Sequence, residues 1–277
     1  MDRYAVIGNP VAHSKSPQIH AAFAQATGQA MRYERLLAPI DGFAAAVREF
    51  AERGGRGLNV TIPFKVEAYG LARERSARAA AAAACNTLAW RGDHWHGDNT
   101  DGAGLVLDLK RNLSETIAGR DVLVLGAGGA ARGIVGPLLA ELPRRLAIAN
   151  RTHDRALELA ASFEGRGPVG AEPLPSLAGR RFDIVINTTS VGIDPSAPAA
   201  DWPRGMFGAN ALAYDLNYAD ATTPFLRWAE QQGAKRRADG LGMLIEQAAE
   251  SFLQWRGVRP DTAPVFRLLR ADRSELR

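Results

Sequence analysis

The string Ser14-Lys15-Ser16-Pro17 places two hydroxyls at the start of a segment that reads as a helix, with Ser16 as N-cap and Pro17 as first helical residue. Hydroxyls beside the free N–H groups of a helix start make a cradle for a carboxylate; a capped loop with no ligand uses the same residues. The segment Asn59-Val60-Thr61-Ile62-Pro63-Phe64-Lys65 carries a strand into a helix. Strand alternation puts Asn59 and Thr61 on one face, and at the carboxyl end of an α/β strand that face lines a ligand crevice. Lys65 then falls in the first helical turn, where its charge opposes the helix dipole, so it is either incidental or functional. Only four of the 34 basic residues are lysines: Lys15, Lys65, Lys110 and Lys235. Arginine supplies the generic surface charge, and a lysine can do what arginine does not, which is to titrate. Cys85-Asn86-Thr87 and Asp98-Asn99-Thr100-Asp101-Gly102 add further amides and carboxylates.

A second chemistry is written at Gly126-Ala127-Gly128-Gly129-Ala130-Ala131, between the apolar run Asp121–Leu125 and a helical pattern. In that setting Gly126 permits a tight turn, Gly128 lets the backbone approach a pyrophosphate, and Ala131 allows close packing of helix on strand. The helix N-terminus offers N–H groups and a positive dipole to phosphate. Where an NAD site places an acid at the next strand end, this chain reads Ala149-Asn150-Arg151-Thr152-His153-Asp154-Arg155. Arg151 can face a 2′-phosphate with paired donors, and Arg155, one helical turn on, can close a clamp. NADP is therefore expected over NAD; the alternative is that both arginines belong to a solvated helical face. His94, His96 and Asp98 alternate as metal ligands could, but a half-exposed hairpin face is the better reading, and no metal is expected.

These groups need elements to hold them. Strands are expected at Tyr4–Gly8, Arg32–Leu37 and Gly57–Ile62, helices from Pro17, at Asp41–Glu52, from Pro63 and at Arg73–Ala84, and a hairpin at Thr87–Trp90 and His94–His96. A helix at Gly102–Arg111 leads to a second βα series. Its strands are expected at Asp121–Leu125, Leu146–Ala149, Asp183–Ile186 and Ala211–Leu216. Its helices are expected at Ala130–Leu139, Arg155–Ser162 and Thr223–Gln231, followed by Leu241–Trp255 and Ala263–Leu269. Alternating βα units imply mostly parallel sheets covered by helices.

Composition narrows the class. The chain has 277 residues, 46% hydrophobic and 23% charged, which is ordinary for a globular protein of about two domains. One cysteine, Cys85, excludes an internal disulfide framework. Basic residues are scattered, with Lys235-Arg236-Arg237 the longest tight group, so nucleic acid is not an expected partner. No apolar run suggests a membrane span, Met1 to Tyr4 leads straight into a strand pattern with no room for a signal peptide, and a cytoplasmic setting is expected.

Taken together, the sequence resembles the shikimate dehydrogenase family. The strings that carry the resemblance are Ser14-Lys15-Ser16-Pro17, Asn59 through Lys65, Asn86-Thr87, Asn99-Thr100-Asp101-Gly102, Gly126 through Ala130, Asn150-Arg151-Thr152 and Gly240-Leu241-Gly242-Met243-Leu244-Ile245-Glu246-Gln247-Ala248. They occur in family order and span nearly the whole chain. The resemblance implies an α/β fold with a mostly parallel N-terminal substrate-binding and catalytic domain (1–103), an NADP-binding Rossmann domain (104–238) and C-terminal helices returning to the first domain (239–277). It implies NADPH-dependent, reversible reduction of 3-dehydroshikimate to shikimate, on the route to chorismate and the aromatic amino acids, by a monomer or homodimer.

By the same resemblance, Lys65 and Asp101 form the catalytic pair. Ser14 and Ser16 hold the substrate carboxylate with Tyr218 nearby, and Asn59, Thr61, Asn86 and Gln247 read the ring hydroxyls. Gly126, Ala127, Gly128, Gly129, Ala130, Asn150, Arg151, Thr152 and Arg155 hold the cofactor, with Leu216 and Gly240 at its nicotinamide end. The chain departs from the frequent family pattern at Ala77, at Ala83-Ala84-Cys85 and at Ala219-Asp220. Two competing readings are a quinate/shikimate dehydrogenase using NAD or NADP and a non-catalytic NADP or shikimate sensor on the same fold. Arg151 and the two serines weigh against the first, and the presence of both Lys65 and Asp101 against the second.

Overall fold

A computed structural model describes residues 1–189 and 202–274. Two compact units emerge: residues 1–104 with 244–277, and residues 105–243.

The first unit is built on β1 (Asp2–Gly8), α1 (Ser16–Ala26), β2 (Met31–Leu37), α2 (Phe43–Glu52), β3 (Gly55–Val60), α3 (Lys65–Leu71), β4 (Glu74–Arg75), α4 (Ala77–Ala82), β5 (Thr87–Trp90) and β6 (Trp95–Asp98). Its sheet runs β2-β1-β3-β5-β6-β4. The β1–β2, β1–β3 and β4–β6 pairs are parallel, while β5 is antiparallel to both β3 and β6. Ile7, Leu58, Phe43, Phe64 and Leu88 are buried in its core. Each such side chain contributes about 1.5–3 kcal/mol through removal from water, and together they fix the ends of β1 and β3, from which the polar loops leave.

Three local expectations are corrected. β3 ends at Val60 rather than Ile62, because the Thr61 carbonyl accepts from the Phe64 N–H in a tight turn at 3.0 Å. The strand-face argument therefore reaches Asn59 but not Thr61. The helix expected over Arg73–Ala84 is only α4, because the Ser76 hydroxyl accepts from the Ala79 N–H and caps it there, while Glu74 and Arg75 join the sheet edge. Ser16 is the first helical residue of α1, with Lys15 in the N-cap position.

α5 (Asp101–Leu107) runs on into a π-helical turn at Asp108–Asn112. The second unit then alternates β7 (Asp121–Leu125), α6 (Gly129–Ala140), β8 (Arg145–Ala149), α7 (His153–Ala161), β9 (Val169–Ala171), β10 (Phe182–Asn187), β11 (Phe207–Asp215), α8 (Pro224–Gln231) and β12 (Arg236–Asp239). All pairs in its sheet are parallel, in the order β12-β11-β10-β7-β8-β9. That is the doubly wound arrangement, with successive strands stepping outward on each side of β7 and the order reversing beside it. Parallel strands covered on both faces read as continuous apolar runs, as β7 and β8 do. β9 and β12 have no counterpart in the sequence reading: both are edge strands, and the exposed Arg236 and Arg237 of β12 carry no apolar pattern. α9 (Leu241–Arg256) and α10 (Ala263–Ser274) complete the described chain. No described helix is long and apolar enough to cross a membrane.

Candidate active site

Lys65 opens α3 and Asp101 opens α5. The Lys65 Nζ donates to Asp101 Oδ2 at 2.6 Å, with the side chains 21% and 8% exposed. The other carboxylate oxygen accepts from Asn86 Nδ2 at 2.8 Å. The same amide nitrogen lies 2.8 Å from Thr100 Oγ1 and 3.1 Å from Gln247 Oε1. Asn86 Oδ1 accepts from the Thr100 N–H at 2.7 Å. Backbone bonds brace the group: Cys85 N–H donates to the Lys65 carbonyl at 2.8 Å, and Val60 N–H to the Asn86 carbonyl at 2.7 Å. The structure thus brings Lys65, Asn86, Asp101 and Gln247 together, joined by Thr100. An ammonium fixed on a carboxylate, still partly open to solvent, can hand a proton to an oxygen and stabilise negative charge developing there.

Ser14 and Ser16 lie together, with Ser14 Oγ donating to Ser16 Oγ at 3.1 Å. Arg35 Nε and Nη2 both donate to the Ser14 carbonyl, at 3.1 and 2.6 Å, and hold the loop from outside. Thr61 is half-buried, its methyl placed where a Cβ on Gly8 would approach to 2.3 Å. Gly8 is therefore required by the Thr61 side chain rather than by its own backbone angle.

Asn59 behaves differently from the others. It is 5% exposed, and its Oδ1 accepts from Tyr33 Oη at 2.7 Å and faces His20 Nε2 at 3.1 Å. Its Nδ2 donates to Ser251 Oγ at 2.9 Å and lies 3.3 Å from Thr87 Oγ1. Protein groups thus engage both ends of this amide. His20 stacks on Tyr33 at 4.2 Å between ring centroids, and burial lowers its pKa to about 3 against the opposing pull of Asn59. Sequence reasoning missed His20, Tyr33, Thr100 and Ser251 as members of this network. Ser251 stands four residues after Gln247 on α9, and His20 four after Ser16 on α1, which are one-turn spacings that mark a shared helix face.

In the second unit, Gly126 adopts φ +112°, and a Cβ there would lie 2.3 Å from Thr188 Oγ1. Only glycine meets both demands at this turn. Gly128 is the N-cap of α6 with no side-chain cap, and a Cβ on Gly128 or Gly129 would meet open space. An uncapped twelve-residue helix opening onto free space above a glycine turn fits a pyrophosphate. Ala127 and Ala131 are buried against the strand end, and Ala130 is half-buried. At the end of β8, Asn150 Nδ2 donates to the Thr152 carbonyl at 2.8 Å and shapes the turn into α7. Arg151 and Arg155 are exposed and form no ion pair among the described residues, which leaves their donors open to an anion. Leu216 and Gly240 are in contact: a Cβ on Gly240 would sit 2.1 Å from the Leu216 carbonyl oxygen. Tyr218 is half-buried on the loop after β11, in the second unit, whereas the other substrate candidates belong to the first.

Asp215 anchors that loop. Its carboxylate accepts from Asn187 Nδ2 at 2.9 Å, from the Asn217 N–H at 3.1 Å and from Thr223 Oγ1 at 2.5 Å. Burial nevertheless pushes its pKa up to about 6, against these donors. Cys85 is fully buried and burial pushes its thiol up to about 12, so it is no nucleophile. No group of three or more His, Cys, Asp or Glu among the described residues could hold a metal ion.

The sequence patterns of three family segments match this chain: the shikimate dehydrogenase substrate binding domain at residues 6–88, shikimate / quinate 5-dehydrogenase at 108–192, and the shikimate 5'-dehydrogenase C-terminal domain at 240–270. The shikimate dehydrogenase (NADP(+)) of Aromatoleum aromaticum is 56% identical over 273 residues, covering 98% of this chain and 97% of that protein. The chain belongs to the shikimate dehydrogenase family. Among solved structures, an Ael1 enzyme from Pseudomonas putida superposes with a TM-score of 0.88 at 44% identity, covering 97% of this chain and 98% of that one. The shikimate 5-dehydrogenase of Thermus thermophilus, in complex with NADP(H) and shikimate, superposes with a TM-score of 0.82 at 35% identity, covering 95% and 96%.

Proposed function

We propose that this chain catalyses the reversible, NADP-dependent interconversion of 3-dehydroshikimate and shikimate. The observation that carries the reading is the Lys65–Asp101 pair at 2.6 Å, held by Asn86 and Gln247, in a family member whose relative named above is NADP-dependent.

Ketone reduction needs a hydride at carbon and a proton at oxygen. NADPH, when bound, supplies the hydride; Gly126 through Ala130 would hold its pyrophosphate, Arg151 and Arg155 its 2′-phosphate, and Leu216 and Gly240 its nicotinamide end. Lys65 faces the carbonyl oxygen, stabilises the negative charge that grows there and gives up its proton, regaining it from solvent. Charge that appears only in the transition state rewards a fixed cation more than a mobile one, and positioned proton donation is worth about 10²–10⁴ in rate. Asp101 holds the ammonium in line. In the reverse direction neutral Lys65 takes the hydroxyl proton. Ser14, Ser16 and Tyr218 receive the substrate carboxylate, and Thr61, Asn86 and Gln247 read its hydroxyls. Asn59 supports this reading from behind: its Nδ2 lies 3.3 Å from the Thr87 hydroxyl and 3.5 Å from the Asn86 carbonyl. We further infer a cytoplasmic protein, in keeping with one buried thiol, acting as a monomer or homodimer.

Shikimate and quinate, each offered with NADP+ and with NAD+, are assayed by absorbance of the reduced cofactor. Turnover greatest with shikimate and NADP+ supports the reading; turnover confined to quinate, or to NAD+, overturns it.

A further inference from the structure

Among the buried carboxylates that the proposed chemistry does not use, Asp98 lies nearest in sequence to the reacting pair. Asp98 closes β6 with its side chain 2% exposed. It accepts from Arg78 Nε at 2.7 Å and Nη2 at 2.5 Å, a two-pronged fork. The Ser76 hydroxyl and the Asn99 N–H, the latter at 2.7 Å, also donate to it. Burial alone would raise its pKa, yet Arg78, Ser76 and Asn99 together hold it below the usual carboxylate range. A third Arg78 nitrogen, Nη1, lies 3.4 Å from Glu250 Oε2 on α9, three residues past Gln247.

What hangs from Asp98 is the site itself. Its carbonyl accepts from the Asn86 N–H at 3.0 Å. The next residue, Asn99, donates its side-chain amide to the Ala84 carbonyl at 3.0 Å and accepts from the Asp101 N–H at 3.2 Å. The turn that delivers Asp101 to Lys65 is thus pinned in part by the Asp98 carboxylate, whose one cationic partner at hydrogen-bond distance among the described residues is the Arg78 guanidinium. Buried ion pairs add little net stability, because desolvation offsets attraction; a fixed geometry is what this one supplies.

We propose that Arg78 is a positioning residue for the reaction. Its fork on Asp98 sets the turn that aims Asp101 at Lys65, and its reach to Glu250 ties that turn to the helix bearing Gln247. The inference rests on the assignment of Lys65 and Asp101 as the reacting pair.

The test is a double-mutant cycle in the full chain. Arg78→Lys keeps charge and aliphatic stem but loses the fork. It should lower kcat for shikimate oxidation by about tenfold, since misplacement on the order of 1 Å is costly to turnover, while KM for NADP+ stays within about twofold. In an Asp101→Asn background the same substitution should cost less than about threefold, because the group it positions has already been changed. Turnover within about twofold of wild type in folded Arg78→Lys, or equal losses in both backgrounds, overturns the proposal. If Arg78→Lys does not fold, Asp98→Asn takes its place in the cycle with the same expectations. Lys65→Met, measured alongside, separates the two levels: near-normal turnover there removes the reacting pair, whereas an inactive Lys65→Met beside an unaffected Arg78→Lys removes only the positioning role.

Discussion

Gly240→Ala should damage the nucleotide unit without removing any polar side chain. The new Cβ would sit 2.1 Å from the Leu216 carbonyl oxygen and 2.6 Å from its carbonyl carbon, closer than the 3.0 Å that real Cβ atoms respect. The obstacle is backbone, so no rotamer change relieves it, and Leu216 must withdraw by about 1 Å. Leu216 is itself held, its N–H donating to the Asn187 carbonyl at 2.9 Å. Overpacking costs about 1–3 kcal/mol, and weakening the Leu216 bond adds about 1 kcal/mol. At roughly 2–4 °C per kcal/mol for a chain of this size, Tm should fall by roughly 4–16 °C. On the proposed placement of Leu216 at the nicotinamide end, kcat/KM for NADP+ should fall by at least about tenfold, and KM for shikimate much less. Thermal melts and initial rates on one preparation decide the matter. Unchanged Tm and kinetics would refute the close approach; a lowered Tm with intact kinetics would refute the placement of Leu216 beside the cofactor.

Lys65→Met should reduce turnover by at least about 10²-fold with little change in substrate affinity, and Lys65→Arg should fare almost as badly, because a guanidinium does not release its proton; both are read by steady-state kinetics on protein of normal circular dichroism. Arg151→Ser should raise KM for NADP+ by about tenfold or more and leave KM for NAD+ nearly unchanged, since charge-assisted bonds are worth about 1.5–3 kcal/mol; an equal change for both cofactors would sink the 2′-phosphate assignment. His20 is held neutral, with its pKa at about 3 in the folded chain against 6.5, so its contribution to stability is present above pH 6.5 and is lost as pH falls toward 3. His20→Phe, which keeps the stack on Tyr33, should flatten the loss of stability below pH 6.5 by up to about 1.4 kcal/mol per pH unit. The comparison must be variant against wild type. Asp215, raised to about 6, contributes with the opposite sign in both proteins: its share is full below its unfolded value and is lost as pH rises through 6. Denaturant midpoints from pH 4.5 to 7 that run parallel in the two proteins would contradict the His20 assignment.

The α/β class and the glycine turn were legible because each rests on local signals: an apolar run for β7, then Gly126, then a small residue at 131. Lys65 could be singled out because lysine is scarce in this chain and a cation at a helix start is locally unfavourable. What could not be read is whatever depends on distant partners. Asn59 is an ordinary polar strand residue until Tyr33, His20 and Ser251 close around it, the last from 192 positions away. Arg78 lies in an alanine-rich stretch that reads as one long helix, and its partner Asp98 reads as one carboxylate of a polar string and of a hairpin face, with nothing to pair it with Arg78. The edge strands β9 and β12 escaped because a strand with a solvated side needs no apolar alternation.

The first unit is made from both ends of the chain, with the second unit inserted as one continuous stretch. The order of synthesis therefore differs from the order of completion. When residue 104 leaves the ribosome, the Asn59 and Thr87 side chains have no Ser251 to meet, the Asn86 amide has no Gln247, and Gly57 lacks the Trp255 ring that occupies its missing Cβ position. These polar groups lack their partners until α9 is made, about 150 residues later, or roughly 8–30 s at about 5–20 residues per second. The contiguous nucleotide unit can close first. The nascent chain thus holds every residue of its second unit before it holds those of its first, and a ribosome that stalls before α9 leaves Asn86 without Gln247 and Asn59 without Ser251.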